Sequence, residues 1–282
     1  MRRSLYLILT TLSAGLLSQT NAGARGFHAS PLRIVLNIPA VRLDAFVADS
    51  LVRTIPIAVG MPAFKSPRGE FAITSIEWNP WWNPPDSPWA AKEKRTPPGP
   101  ANPMGRVKLN FRPSYFLHGT PLDQSIGSAA SHGCIRMHNA DAIALARLVH
   151  RFGSPGMTEG DVERLATDTA TRTIELEIPV PIELRYDRVE VRNDSLFVYR
   201  DIYGLATHPL YNDVVAALVA RGADRARIDT AVVRSVTRTV QRHGTGVPLA
   251  RLVRSAIQYQ GHQAGLPRSG NARRLIAIGD GG

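Results

Sequence analysis

Cysteine is almost absent from this chain. Cys134 is the only one in 282 residues, which excludes an intramolecular disulfide and any site built on several thiolates. Lysine is nearly as scarce, with four lysines against 30 arginines in a net charge of +11. Long apolar runs are missing as well. The run at 5–17 falls short of the roughly 18–20 residues a membrane-crossing helix needs. No 20–50-residue repeat and no low-complexity tract is present, so solenoid and array architectures are excluded.

What is there begins with a targeting pattern. Arg2 and Arg3 precede the apolar run, and Ala22-Gly23-Ala24 offers a small-x-small cleavage site. Residues 1–24 are therefore expected to be an export signal. With the only cysteine far downstream, there is no lipid-attachment cysteine, and no transmembrane anchor is expected after cleavage. The expected location is the periplasm or cell-wall compartment. An unpaired cysteine has no structural bridge to make there, which favours a chemical role. A charge of +11 would suggest nucleic acid for a cytosolic chain. After export, anionic envelope polymers or lipid headgroups are the expected counterparts instead, with a plain solvated surface as the alternative.

The candidate chemistry lies in Ser131-His132-Gly133-Cys134-Ile135-Arg136, with His118 sixteen positions before the cysteine in Tyr115-Phe116-Leu117-His118-Gly119-Thr120. A thiol becomes a good nucleophile as thiolate, which an imidazole and polarised backbone N–H groups favour. Gly133-Cys134 is read as opening a helix whose N-terminal N–H groups steady an oxyanion. His118 is read as the end of a strand at a glycine turn. Two other readings stand beside this one. A lone cysteine is commonly a small buried hydrophobe. His118, His132, Cys134 and His138 could also supply zinc ligands, although their spacing matches no structural zinc pattern.

His118-Gly119-Thr120 followed by 131–136 resembles the signature of the L,D-transpeptidases of the YkuD family. The order, His before Cys, is opposite to that of the NlpC/P60 wall hydrolases. The resemblance covers 31–204 and implies that Cys134 is the acylated nucleophile and His118 its base, oriented by a backbone carbonyl. It further implies an oxyanion loop of Ser131, His132 and Gly133, substrate contacts from Arg136, Gly119, Trp81 and Trp82, and neither metal nor cofactor. The implied reaction is acyl transfer from a peptidoglycan tetrapeptide stem, with loss of its terminal D-alanine, to an acceptor amine. A carboxypeptidase using water, or a silent wall-binding protein, are the alternatives.

Alternating apolar residues predict strands at 32–38, 41–47, 51–59, 71–76, 107–111, 115–118 and 171–178. A hairpin is predicted from 181–191 and 196–199 about Asn193-Asp194. Helical spacing predicts 139–152, with Asn139 as N-cap, and a shorter helix at 157–166 with Thr158-x-x-Asp161 as a loose capping box. The expected fold is mainly β, a mixed sandwich-like sheet packed by the 139–152 helix, in a catalytic domain at 25–204. Residues 78–105 hold all four tryptophans, Trp78, Trp81, Trp82 and Trp89, among many prolines. They resemble a capping segment over the site. Residues 205–282 are expected to be a basic helical extension, with helices at 210–221, 229–243 and 247–260 before a Gly- and Arg-rich stretch at 265–282. An electrostatic envelope contact or simple helical packing is its expected role.

Overall fold

The computed structural model describes residues 30–240 and 244–253; the segment 1–24 and the stretch 265–282 lie outside them. Strands β1 (Leu32–Asn37), β2 (Arg42–Val47) and β3 (Ser50–Pro56) form a meander, followed by the short β4 (Val59–Gly60) and the long β5 (Gly69–Trp78). After the Trp- and Pro-rich segment come β6 (Val107–Arg112), β7 (Tyr115–Thr120), β8 (Ala129–Ser131) and β9 (Ile135–His138). Helices α1 (Asn139–Gly153) and α2 (Glu159–Thr167) precede β10 (Arg172–Arg185). Eight of these strands make one mixed sheet in the order β3-β2-β1-β10-β5-β6-β7-β9, and β4 pairs with β8 beside it. The fold is mainly β, as the alternation predicts.

Period-two patterning explains which face packs. Leu109 on β6, Leu117 on β7, and Ile135 and Met137 on β9 are buried together with Ala142, Leu145, Ala146 and Val149 of α1. The helix residues recur at i, i+3, i+4 and i+7, one stripe of a 3.6-residue period. Each fully buried Leu, Ile, Val or Met among them stabilises the fold by roughly 1.5–3 kcal/mol. Lys108, His118 and Arg136 alternate with these and occupy the opposite face.

One local expectation shifts and another holds. Asn139 does not cap α1; His138 holds that position without a side-chain cap bond. The Asn139 side chain instead accepts from Arg106 N–H at 2.9 Å and donates to Thr120 O at 3.2 Å, stitching α1 to the sheet end. Thr158, by contrast, does cap α2, with a reciprocal box to Asp161.

The C-terminal part departs from an all-helical extension. Strands β11 (Val189–Arg192) and β12 (Ser195–Val198) turn through Asn193 and Asp194, both at positive φ as a tight hairpin requires. Helices α3 (Leu210–Ala220) and α4 (Thr230–Arg238) come next, then β13 (Thr245–Pro248) and the single turn α5 (Leu249–Leu252). The 247–260 region thus begins as a strand, with β13 pairing antiparallel to β12; 254–260 lie outside the described residues. Leu196, Val198, Val214, Leu218, Val233, Val247 and Leu252 form a second core. The hairpin therefore packs with α3, α4 and β13, and residues 181–185 belong to β10 instead. Arg42 joins the two cores, with ion pairs to Asp44 and to Glu190 of β11, both at 2.8 Å. Among the described residues no helix is long and apolar enough to cross a membrane.

Candidate active site

β7 and β9 lie parallel, with His118 opposite Arg136, while β6 places Lys108 opposite His118. Cys134 comes two residues before Arg136, in the bend that leads into β9, where the charges of Arg136 and Lys108 act on its thiol. It does not open a helix. Ile135–His138 is a strand and α1 starts only at Asn139, so no helix terminus polarises the thiol. His118 likewise sits inside β7 and not at a turn, and it is 2% exposed.

The imidazole is oriented by a carbonyl. Gly119 O lies 2.7 Å from His118 Nδ1. A carbonyl only accepts, so Nδ1 carries the proton and Nε2 keeps its lone pair. Gly119 is buried, and a Cβ there would stand 2.2 Å from Asn139 Oδ1. Its place is thus behind the base, not against a substrate.

The thiol is surrounded by backbone. Cys134 Sγ donates to Ser114 O at 3.7 Å, and no hydrogen bond joins it to the imidazole. Burial pushes its pKa up, opposed by the Phe116 N–H and by the charges of Arg136 and Lys108. Burial, aided by the same two cations, brings His118 down to about 4 against the pull of Gly119 O. Both shifts favour the uncharged forms, thiol and neutral imidazole. Lys108 is neutralised by Glu77 at 2.5 Å. Arg136 donates to Ala130 O at 3.3 Å and, among the described residues, has no carboxylate partner.

The loop carrying the cysteine is tightly specified. Gly133 has φ +110°, and a Cβ there would meet Tyr115 Cε1 at 2.8 Å, so only glycine fits. Ser131 Oγ accepts from Gly133 N–H at 3.0 Å and donates to Cys134 O at 2.5 Å. The Gly133 N–H is therefore already used and is not available to an oxyanion. Ser66 Oγ donates to Gly133 O from the other side at 2.9 Å.

Of the four tryptophans, one reaches this loop, and it is not one of the expected pair. Trp89 stacks on His132 with ring centroids 3.8 Å apart and 7° between planes, and Phe64 meets the same imidazole edge-on at 4.8 Å. Burial and Arg136 lower the His132 pKa. Trp81 lies under Arg95 at 4.0 Å, and Trp82 exchanges backbone bonds with Thr96. Both order the segment internally. Trp78 is not part of a cap at all: it ends β5, fully buried, and its Nε1–H donates to His150 Nε2 at 3.1 Å. Asn102, also fully buried, ties the segment together by donating to Pro80, Thr96 and Pro97 carbonyls.

The four zinc-ligand types do not converge. His138 Nδ1 pairs with Asp123 at 2.8 Å, and no group of three or more His, Cys, Asp or Glu among the described residues is placed to hold a metal. What the arrangement can do is acyl chemistry: a thiol, an imidazole with a fixed basic nitrogen, and a loop whose peptide groups are locked. Ser66, Phe64 and Ser114 were not legible as site residues, because each is brought in by non-local packing, and Trp89 was legible only as one of four tryptophans in the expected cap.

Comparison with known proteins agrees. The family model for the YkuD L,D-transpeptidase catalytic domain matches residues 31–182. YkuD of Bacillus licheniformis, named for the same family, is 36% identical over 128 residues, covering 45% of this chain and 66% of that protein. ErfK/SrfK of Escherichia coli is 34% identical over 119 residues, 38% of each chain. The matched segment thus spans less than two thirds of either relative. A solved L,D-transpeptidase from Mycobacterium smegmatis aligns with a TM-score of 0.38 and 17% identity, over 55% of this chain and 59% of that one. The match over 31–182, more than half of the chain, shows that this protein belongs to the YkuD family of L,D-transpeptidases.

Proposed function

We propose that this chain is an exported cysteine acyltransferase that cross-links peptidoglycan stems. The observation that supports it most is His118: its Nδ1 is held by Gly119 O, and its strand pairs with the strand that begins directly after Cys134. In the first half-reaction the Cys134 proton passes to His118 Nε2 as sulfur bonds to the diamino-acid carbonyl of a tetrapeptide stem. The carbonyl C–N bond then breaks, the imidazolium returns its proton to the departing D-alanine amine, and a thioester remains. In the second, an acceptor amine loses a proton to His118, attacks the thioester and regenerates the thiol. The stacked Trp89 and His132 form a wall that shields this thioester from water. Arg136, a cation with no carboxylate partner among the described residues, is suited to the free carboxylate of the donor. Export through residues 1–24 and an envelope contact through the basic part after 204 belong to the same reading.

Incubation of purified protein with disaccharide-tetrapeptide should yield a product lighter than two donors by one D-alanine, and Cys134→Ala should yield none. Product from the Ala variant would remove Cys134 from the mechanism. Free trimmed tripeptide alone, at every acceptor concentration, would assign the enzyme as a carboxypeptidase.

A further inference from the structure

Ser66 is buried, 67 positions from Gly133, and both its N–H and its hydroxyl are hydrogen-bonded. Its Oγ accepts from Gly60 N–H and donates to Gly133 O, both at 2.9 Å. Its own N–H donates to the Tyr203 hydroxyl at 3.1 Å, and that hydroxyl donates to Gly60 O at 2.8 Å. Tyr203 is positioned in turn, since its N–H donates to the Tyr186 hydroxyl at 2.7 Å and Tyr186 donates to Asp201 at 2.6 Å. Gly60 has to be glycine, for a Cβ would stand 2.1 Å from Phe64 O and 2.6 Å from Ser66 N. The chain after 182, beyond the matched catalytic segment, thus reaches under the nucleophile loop.

The consequence is geometric. The C=O and N–H of a trans peptide point in opposite directions. Ser66 fixes the Gly133 C=O on its own side, so the Cys134 N–H is directed away from it. With the Gly133 N–H bound to Ser131 Oγ, of the Gly133 and Cys134 amides the nucleophile's own is the one left for an oxygen on the carbon that Sγ attacks. We propose that Ser66, held by Tyr203, is a positioning residue that aims the Cys134 N–H at the oxyanion of acyl transfer. This deepens the acyltransferase reading and rests on it for its natural substrate.

The test separates an oxyanion role from mere loop support. p-Nitrophenyl acetate acylates a thiol through a tetrahedral oxyanion, whereas iodoacetamide alkylates it by direct displacement with none. Ser66→Ala should slow acylation by p-nitrophenyl acetate, and kcat with the tetrapeptide, by about 10²-fold. KM and the iodoacetamide rate should stay near wild type. Ser66→Thr, which keeps the hydroxyl, should recover most of the loss, and Tyr203→Phe should act in the same direction with a smaller effect. Equal losses of acylation and alkylation in Ser66→Ala, or no loss in either probe, would overturn the proposal. If Ser66→Ala does not fold, Tyr203→Phe decides by the same two rates. A wild-type protein acylated by the ester but inert to the tetrapeptide would sink the peptidoglycan reading alone, leaving the Ser66 comparison intact.

Discussion

The resting protonation state of the Cys134–His118 pair is open to a direct measurement. A stable thiolate–imidazolium pair needs an imidazole that holds its proton more tightly than the thiol does. Here the order is reversed, with His118 lowered to about 4 and Cys134 raised above the ordinary thiol value of 9.0. Burial drives both shifts, because each group is removed from water and neither is hydrogen-bonded to the other. At pH 7 the thiol should therefore be protonated, with the thiolate only a minor species. The iodoacetamide rate should then rise about tenfold per pH unit between pH 6 and 9, with no plateau. His118→Ala should change that profile little, yet slow acyl transfer by about 10²- to 10⁴-fold. For kcat/KM the acid limb belongs to His118, so activity should persist well below pH 6.5 and fall only near 4. A plateau of alkylation between pH 5 and 8 that His118→Ala abolishes would refute the reasoning. It would show that the imidazole ionises the thiol before any substrate arrives.

Three further outcomes are expected. Trp89→Ala should raise the hydrolysed share of product, by roughly fivefold for the loss of one aromatic stack, whereas Trp81→Ala with Trp82→Ala should leave the ratio unchanged; product masses distinguish the two. Arg136→Gln should raise KM about tenfold for a donor with a free C-terminal carboxylate and not for its amide, as the loss of one charge-assisted bond implies; equal KM changes for both donors would confine Arg136 to its Ala130 contact. His150, buried and lowered to about 4, accepts from Trp78 and faces Ser154 through Nδ1. Its folded pKa lies below the unfolded 6.5, so stability is full above pH 6.5 and is lost as pH falls towards 4. In His150→Gln the denaturation free energy should therefore lose about 1.4 kcal/mol per pH unit of its slope between pH 6.5 and 5, and an unaltered slope would dismiss the neutral buried histidine.

Much of the site was legible because the chemistry is carried by rare residue types. One cysteine and a histidine on an alternating segment before it make Cys134 and His118 candidates, and the resemblance of 118–120 and 131–136 to the family signature makes the nomination specific. Their surroundings were not legible. Ile135-Arg136-Met137-His138 runs directly into α1, so four alternating residues were hidden beside a stronger helical signal, and a helix terminus was assigned to the thiol in error. The tryptophans were grouped by proximity in sequence, although Trp78 carries the β5 alternation past Ile76 and ends in the core. Trp89 was distinguishable from Trp81 and Trp82 only by what lies across from it, and the partner, His132, is 43 positions away.

The C-terminal part shows why apolar spacing alone misassigned a strand. Val247, Leu249 and Leu252 fit a helical stripe as well as they fit a short strand followed by one turn of helix. Gly244 and Gly246 should have tipped the balance, since two glycines within three residues disfavour a helix start. The deciding contact is the β12 edge, which accepts β13 in register from Ser195 opposite Pro248 to Val198 opposite Thr245. That pairing also changes what a truncation would remove. A cut after 204 would leave Leu196 and Val198 without Val214, Leu218, Val233 and Val247, exposing the inner face of a two-stranded hairpin. Tyr199, at the hairpin's end, bonds Arg42 at 3.0 Å, and Arg42 pairs with Glu190. The loss would therefore be felt at β2 of the large sheet, and Tyr203, four residues further on, is the residue that holds Ser66. An accessory appendage would leave acylation untouched when removed. This one shares a junction with the nucleophile loop, so a protein ending at 204 should melt earlier and acylate more slowly than the full chain.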